Sequence, residues 1–269
     1  TFGAVFGPLL VTPAQWAGRT WFGLATYSGP WLVSSVFLVL AAINTAVRLR
    51  PDPLVASGSQ AKVPTRMSVV AAVRLITSTG NGRLALAAMV ISQATMVAVM
   101  TMTPVHLKLH GNEDVSPYVI SLHIAGMFAF SPLVGKYADH YGRVNAIFLG
   151  SVLLVVASAL SAVSGEGNPM LFPSLWLLGI GWNFGLIGGS SLLVESIGDS
   201  VRVRVQGTAD LLMGFCGGLA GFSSGFIRRA VGFHLLSTAS LVLAGALLVY
   251  VMAGSAHTRP TVESLLRRR

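Results

Sequence analysis

The sequence predicts an all-α, polytopic membrane protein, and three observations carry that expectation. Hydrophobic residues make up 53% of the 269 positions against 10% charged, with a mean hydropathy of +0.72, whereas an ordinary soluble domain is about 25% charged. Apolar runs long enough to cross a bilayer, roughly 20 residues, recur along the chain. The 18 Lys and Arg gather in alternate connecting segments, the distribution that orients membrane proteins. The same features set other classes aside. A net charge of +9 would favour nucleic acid only if it were collected on one face. Cys216 is the single cysteine, so no disulfide framework or cysteine-based metal site is expected, and no cofactor is expected either.

The elements follow in order. Residues 1–12 are apolar but stop at Pro13, too short for a crossing. They are expected to be part of a helix that begins upstream. The chain opens at Thr1 inside this run with no visible signal peptide, so it reads as the later part of a longer protein. A span at 29–47 follows and ends at Arg48, Arg50 and Pro51. Residues 51–83 form a long loop, rich in Pro, Ser and Gly to position 66. An amphipathic segment at 67–77, with Arg74 among aliphatic residues, is expected to lie on the membrane surface. Spans at 84–105, 117–134, 144–163, 171–194, 206–227 and 233–253 make a six-helix bundle over 84–254, and a basic tail occupies 255–269. Placing the 51–83 loop and its flanks in the cytoplasm puts 14 of the 18 basic residues there. Only Arg19, Lys108, Arg228 and Arg229 then lie outside, and the C-terminus is cytoplasmic.

One connecting stretch is more specific. Gly135-Lys-Tyr-Ala-Asp139-His-Tyr-Gly142-Arg143 reads as a short polar hairpin between two spans. Gly135 and Gly142 supply backbone freedom for a tight turn, and Asp139 and Arg143 stand four apart, a spacing that suits an ion pair. This stretch resembles the cytoplasmic loop signature of the major facilitator superfamily, with His140 and Val144 where that signature usually continues with basic residues. Near the start, Gly3-x-x-x-Gly7-Pro8 resembles part of the antiporter signature on the family's fifth helix, although Val11 and Thr12 stand where two glycines usually follow. The alternative is that these residues simply let the helix bend and approach a neighbour.

The resemblance implies that 84–254 is the second half of a facilitator and 1–50 the end of its first half, joined by a central cytoplasmic loop at 51–83. It implies secondary transport of a small molecule across a cell membrane, with proton coupling, and the partial antiporter signature favours export. It also implies that Asp139 and Arg143 steady one conformational state. Glu195, Arg202 and Arg204 join them by topology, with ordinary loop charge as the alternative.

Ionisable groups inside spans are costly and are functional candidates. His123 falls six residues into its span and is the ionisable side chain clearest of a helix end, a candidate for proton coupling or for a hydrogen bond to a neighbouring helix. Asp210 falls near the start of its span, where a helix N-terminus can hold an acid. Gln93 and Asn183 are the neutral candidates for substrate contact. Met89, Met96 and Met100 share a face with Gln93, and such a stripe is either packing filler, a lipid face or a flexible apolar pocket. His106 and Glu195 are expected at interfaces. Glycines recur at 181, 185 and 189 in one span, and at 207, 214, 218, 221 and 225 in another. Both sets read as close packing, or as smooth faces for the rocking of alternating access.

No enzyme is expected. Gly221-Phe-Ser223-Ser-Gly225 matches G-x-S-x-G, but that motif needs a strand, turn and helix. A rhomboid-like protease pairing Ser223 with His123 or His234, and a non-transporting remnant or sensor, are the alternatives to a transporter.

Overall fold

A computed structural model describes residues 2–25, 27–51, 67–164, 169–198 and 200–257. Every regular element among them is helical. Most of the expected linker, with Lys62 and Arg66, and the tail with Arg259 and Arg267 to Arg269 lie outside the described residues. The chain divides into two compact units, Phe2–Arg66 and Met67–Arg269.

In the first unit, α1 (Phe2–Phe6), a 3-10 turn (Gly7–Leu10), α2 (Val11–Phe22) and α3 (Ser28–Arg48) follow one another. The helical path does not stop at Pro13, as the sequence reading had it. Pro13 is the third residue of α2, inside the first turn, where N–H groups have no intrahelical partner and a proline costs little. The helix ends instead at Gly23, whose φ of 60° suits a residue without Cβ. α2 and α3 meet backbone to backbone. A Cβ built on Gly29 would lie 2.0 Å from the Ala14 carbonyl oxygen.

The second unit opens with α4 (Val69–Thr77), capped by the Ser68 hydroxyl, which accepts from the Ala71 N–H at 3.2 Å. Ala72 and Ile76 are fully buried and Arg74 is exposed. The apolar side of this amphipathic segment therefore docks on the bundle. α5 (Gly80–Leu109), α6 (Ser116–Phe128), α7 (Ser131–Tyr141), α8 (Arg143–Val163) and α9 (Leu171–Glu195) follow. α6 and α7 lie within one 29-residue membrane-length segment, Glu113–Tyr141, and Pro132 near the start of α7 explains why the helix is broken there.

The expected polar hairpin is shorter than its sequence implies. Gly135 to Tyr141 are helical, and the turn is Gly142 alone, with φ 95° and ψ 155°. Arg202–His257 is a single run of 56 residues interrupted at Gly232, with φ 86° and ψ 173°. At 1.5 Å per residue an unbroken helix of that length would span about 80 Å, far more than a bilayer of about 30 Å. It is two helices, α10 (residues 202–231) and α11 (residues 233–257). Val205 and Val251 share one buried cluster with Met89 and Ile147. Phe233, at the junction, shares another with Leu107 and Leu171. The chain thus runs from one end of the bundle to the other and back, which gives this unit six crossings. α9 is the most deeply buried of the spans.

Candidate functional site

The charged cluster sits where α7, α8 and α9 end or begin. Arg143, the first residue of α8, donates through Nη1 to Asp139 Oδ1 and through Nε to Glu195 Oε1 at 2.9 Å. Each charge stands at the unfavourable end of its own helix. Asp139 lies in the last turn of α7 and Glu195 closes α9, both negative dipole ends, while Arg143 opens α8 at a positive end. Helix stability would put none of them there, so their placement is explained by one another. All three are partly or largely exposed, a setting in which an ion pair contributes about 0.2–1 kcal/mol. Arg202 and Arg204 lie in the first turn of α10, and Arg204 is exposed.

His123 is fully buried, with its Nδ1 2.7 Å from the Leu175 carbonyl oxygen of α9. Beside it α6 and α9 touch at their backbones: a Cβ on Gly179 would lie 2.3 Å from the His123 carbonyl oxygen, and one on Gly126 2.6 Å from that of Trp176. Asn183, also buried, accepts from the Ser131 hydroxyl at 3.3 Å and has its amide nitrogen 3.5 Å from the Gly126 carbonyl oxygen. It thereby bridges the α6–α7 break. Gln93 of α5 accepts from the Trp182 indole N–H at 2.6 Å. Met89 and Met96 are buried in the core and Met100 packs against it, so the methionine stripe does not face lipid. His106, expected at an interface, is buried and stacked on Phe233, with ring centroids 4.4 Å apart.

Asp210 is exposed and accepts from Gln206 Nε2 at 2.9 Å. The helix begins at Arg202, four residues earlier than the hydropathy pattern implied. Asp210 therefore stands past the second turn, beyond the reach of the helix N-terminus that was expected to hold it. Gly3 and Gly7 have open space where a Cβ would point. They line an apolar groove of about 630 Å³ against Pro30 and Phe37 of α3, so neither glycine serves close packing among the described residues. Ser223 lies within α10, without the strand and turn of a hydrolase elbow. His123 and His234 each engage a backbone carbonyl through Nδ1, His234 that of Ala162 at 3.0 Å.

Six described helical segments, with Glu113–Tyr141 and Arg202–Gly254 each counted as one, are long and apolar enough to cross a membrane, and with the glycine-mediated bundle they define a multi-pass helical membrane protein. The sequence pattern of the Major Facilitator Superfamily matches residues 1–225. The chain belongs to that superfamily. It is 35% identical over 260 residues to YddS, an uncharacterised MFS-type transporter of Bacillus subtilis (strain 168), covering 94% of this chain and 59% of that protein. A second B. subtilis protein of the same description, YdeG, is 34% identical over 257 residues, covering 94% and 60%. The riboflavin transporter RfnT of Brucella anthropi is 33% identical over 155 residues, covering 57% of this chain and 39% of its own length. The chain thus spans about three-fifths of the length of the first two relatives. No solved structure matches.

Proposed function

We propose that this chain works as the second half and adjoining end of the first half of a secondary transporter that moves a small molecule across the cell membrane. The observation that carries the reading is the match to transporter-named relatives along 94% of the chain, together with the Asp139–Arg143–Glu195 cluster at the α7–α8 turn. In this reading the three charges form a latch across three helix ends, which favours one of two access states and is released in the other. Proton coupling, export and a cytoplasmic C-terminus belong to the same proposal. They are supported by the resemblance of the Gly3–Pro8 stretch and by the asymmetry of basic residues.

Reconstituted into liposomes in its full-length context, the protein should catalyse counterflow of riboflavin or of another tested solute, without ATP. No counterflow with any member of a broad solute panel would leave the remnant or sensor reading. Orientation is tested by single cysteines at Ser57, His140 and Asn168 after removal of Cys216. In intact cells the first two should resist an impermeant thiol reagent and the third should react.

A further inference from the structure

The turn that ends α5 is fixed by its backbone. Gly111, with φ 73°, takes the left-handed conformation that a side chain resists. It lets the Asn112 N–H reach the Leu107 carbonyl oxygen at 2.9 Å and the Gly111 N–H that of Lys108 at 3.2 Å. Such a pairing closes a helix over its last open carbonyls and brings the second residue beyond the cap back over the helix, where an apolar side chain commonly packs. Here that residue is Asn112, and the one beneath it is the buried Leu107. A 3-10 turn, Glu113–Val115, follows at once, and an exposed Lys108–Glu113 ion pair at 3.4 Å ties it to α5.

An amide at this position is out of place for packing alone. Besides its N–H, Asn112 is held by its carbonyl, which accepts from the Val115 N–H at 3.2 Å, and by its side-chain nitrogen, which donates to the His110 carbonyl oxygen at 3.2 Å. A carbonyl only accepts, so the nitrogen is the atom that faces it and Oδ1 is the atom left over. Among the described residues no donor engages Oδ1. Asn112 lines a cavity of about 170 Å³ between α5, this turn, α6 and the start of α9. The rest of its wall is apolar, with Leu107, Val119 and Leu171 buried and Val115 and Phe172 beside them. A cavity of about 150 Å³ with such a lining stays dry and takes benzene, so the volume here suits one aromatic ring.

We infer that this cavity binds a single-ring phenol, with the ring against Leu107, Val119 and Leu171 and the hydroxyl donating to Asn112 Oδ1. The apolar wall supplies the burial. The one acceptor selects a ring that carries a donor, because a bare ring would cover the amide oxygen and leave it without a partner. The site goes beyond the transporter reading and does not depend on it. It stands at the opposite end of α9 from the charged cluster, since Leu171 opens that helix and Glu195 closes it.

The test is fluorine NMR of the purified protein, in its full-length context in lipid nanodiscs, with 4-fluorophenol and with fluorobenzene as the ring that has no donor. The phenol should bind saturably and about threefold or more tighter than fluorobenzene. Asn112→Leu should remove that preference, weakening the phenol about three- to tenfold while fluorobenzene is held as well or better. Val119→Phe fills the cavity and should abolish saturable binding of both. In the unaltered protein, a photoreactive phenol should label residues 107–119 or 169–172, read by mass spectrometry, and 4-fluorophenol should displace it, which keeps the inference testable should a variant misfold. No saturable binding, a preference unchanged in Asn112→Leu, saturable binding that survives Val119→Phe, or label confined to other segments each overturns the site. None of these results bears on the transporter reading, which counterflow decides separately.

Discussion

α9 and α10 are both rich in glycine, and most of the glycines in the two helices serve different ends. In α9, Cβ atoms added at Gly179, Gly181, Gly185 and Gly189 would all lie 3.0 Å or less from a neighbouring helix. The contacts do not form one stripe. Gly179 meets α6, Gly181 meets α8, and Gly185 and Gly189 meet α5. In α10, Gly207, Gly214, Gly218 and Gly225 meet nothing within 4 Å, while Cβ atoms at Gly217 and Gly221 would lie 2.8 and 3.1 Å from the Gln93 and Val97 side chains of α5. The α9 glycines thus hold the bundle together by close approach to neighbouring helices, whereas in α10 Gly217 and Gly221 approach α5 and the other four leave a face without side chains. A recurrence of small residues states that a helix can be approached, and not that it is.

The largest expected effect comes from filling the α9 contact. Gly179→Ala places a methyl group against the His123 backbone oxygen, which cannot swing aside as a side chain does. It should destabilise the bundle by about 1–3 kcal/mol, seen as a lower melting temperature in detergent. An unchanged melting temperature would mean that α6 and α9 are not in backbone contact.

The sequence makes this difference invisible, because helical spacing fixes which residues share a face but not what lies opposite. It does make the helices themselves visible, since hydropathy depends only on local composition. The charged cluster is intermediate. Asp139 and Arg143 are readable four positions apart, whereas Glu195 is 52 residues from its partner and comes within reach only through the order of the crossings. Asp210 was misplaced for a local reason: Arg202 and Arg204 look like loop residues by hydropathy, yet they form the first turn of α10. Pro13 misled in the opposite sense, since a proline that ends one helix is equally at home in the first turn of the next.

A second, comparable effect is expected beside Gly179. His123→Leu removes the partner of the Leu175 carbonyl oxygen in a buried contact and should lower stability by about 1–3 kcal/mol. His123→Gln should recover part of that loss and keep the parental pH dependence of transport, as a residue of the α6–α9 contact would. A flattened pH profile with counterflow preserved would instead make His123 a proton carrier.

On the α10 side the sign reverses. Gly218→Ala meets no neighbour and trades glycine for the best helix former, so it should be neutral or stabilise by up to about 1 kcal/mol. A clear loss of stability in the isolated chain would show that the face is covered after all. If the face also serves movement, Gly218→Leu should slow counterflow in the full-length protein while the melting temperature holds.

The smallest effect on stability, and the most informative about function, is expected at the α7–α8 turn. There exposed charge joins α9 to α8 in addition to the buried contact of Gly188 with the Arg143 backbone. Asp139→Asn leaves Arg143 its bond to Glu195 and removes one pair worth about 0.2–1 kcal/mol, too little to unfold the bundle. The same energy applied to two access states of nearly equal stability changes their ratio by up to about fivefold. Transport rates should therefore shift by a few-fold with the melting temperature unchanged. Glu195→Gln should act in the same direction, and the double variant should exceed either alone, because both acids hold one guanidinium. Kinetics indistinguishable from the parent in the double variant would reduce the cluster to surface charge. A collapse in stability would instead make it part of the scaffold, as the α9 glycines are.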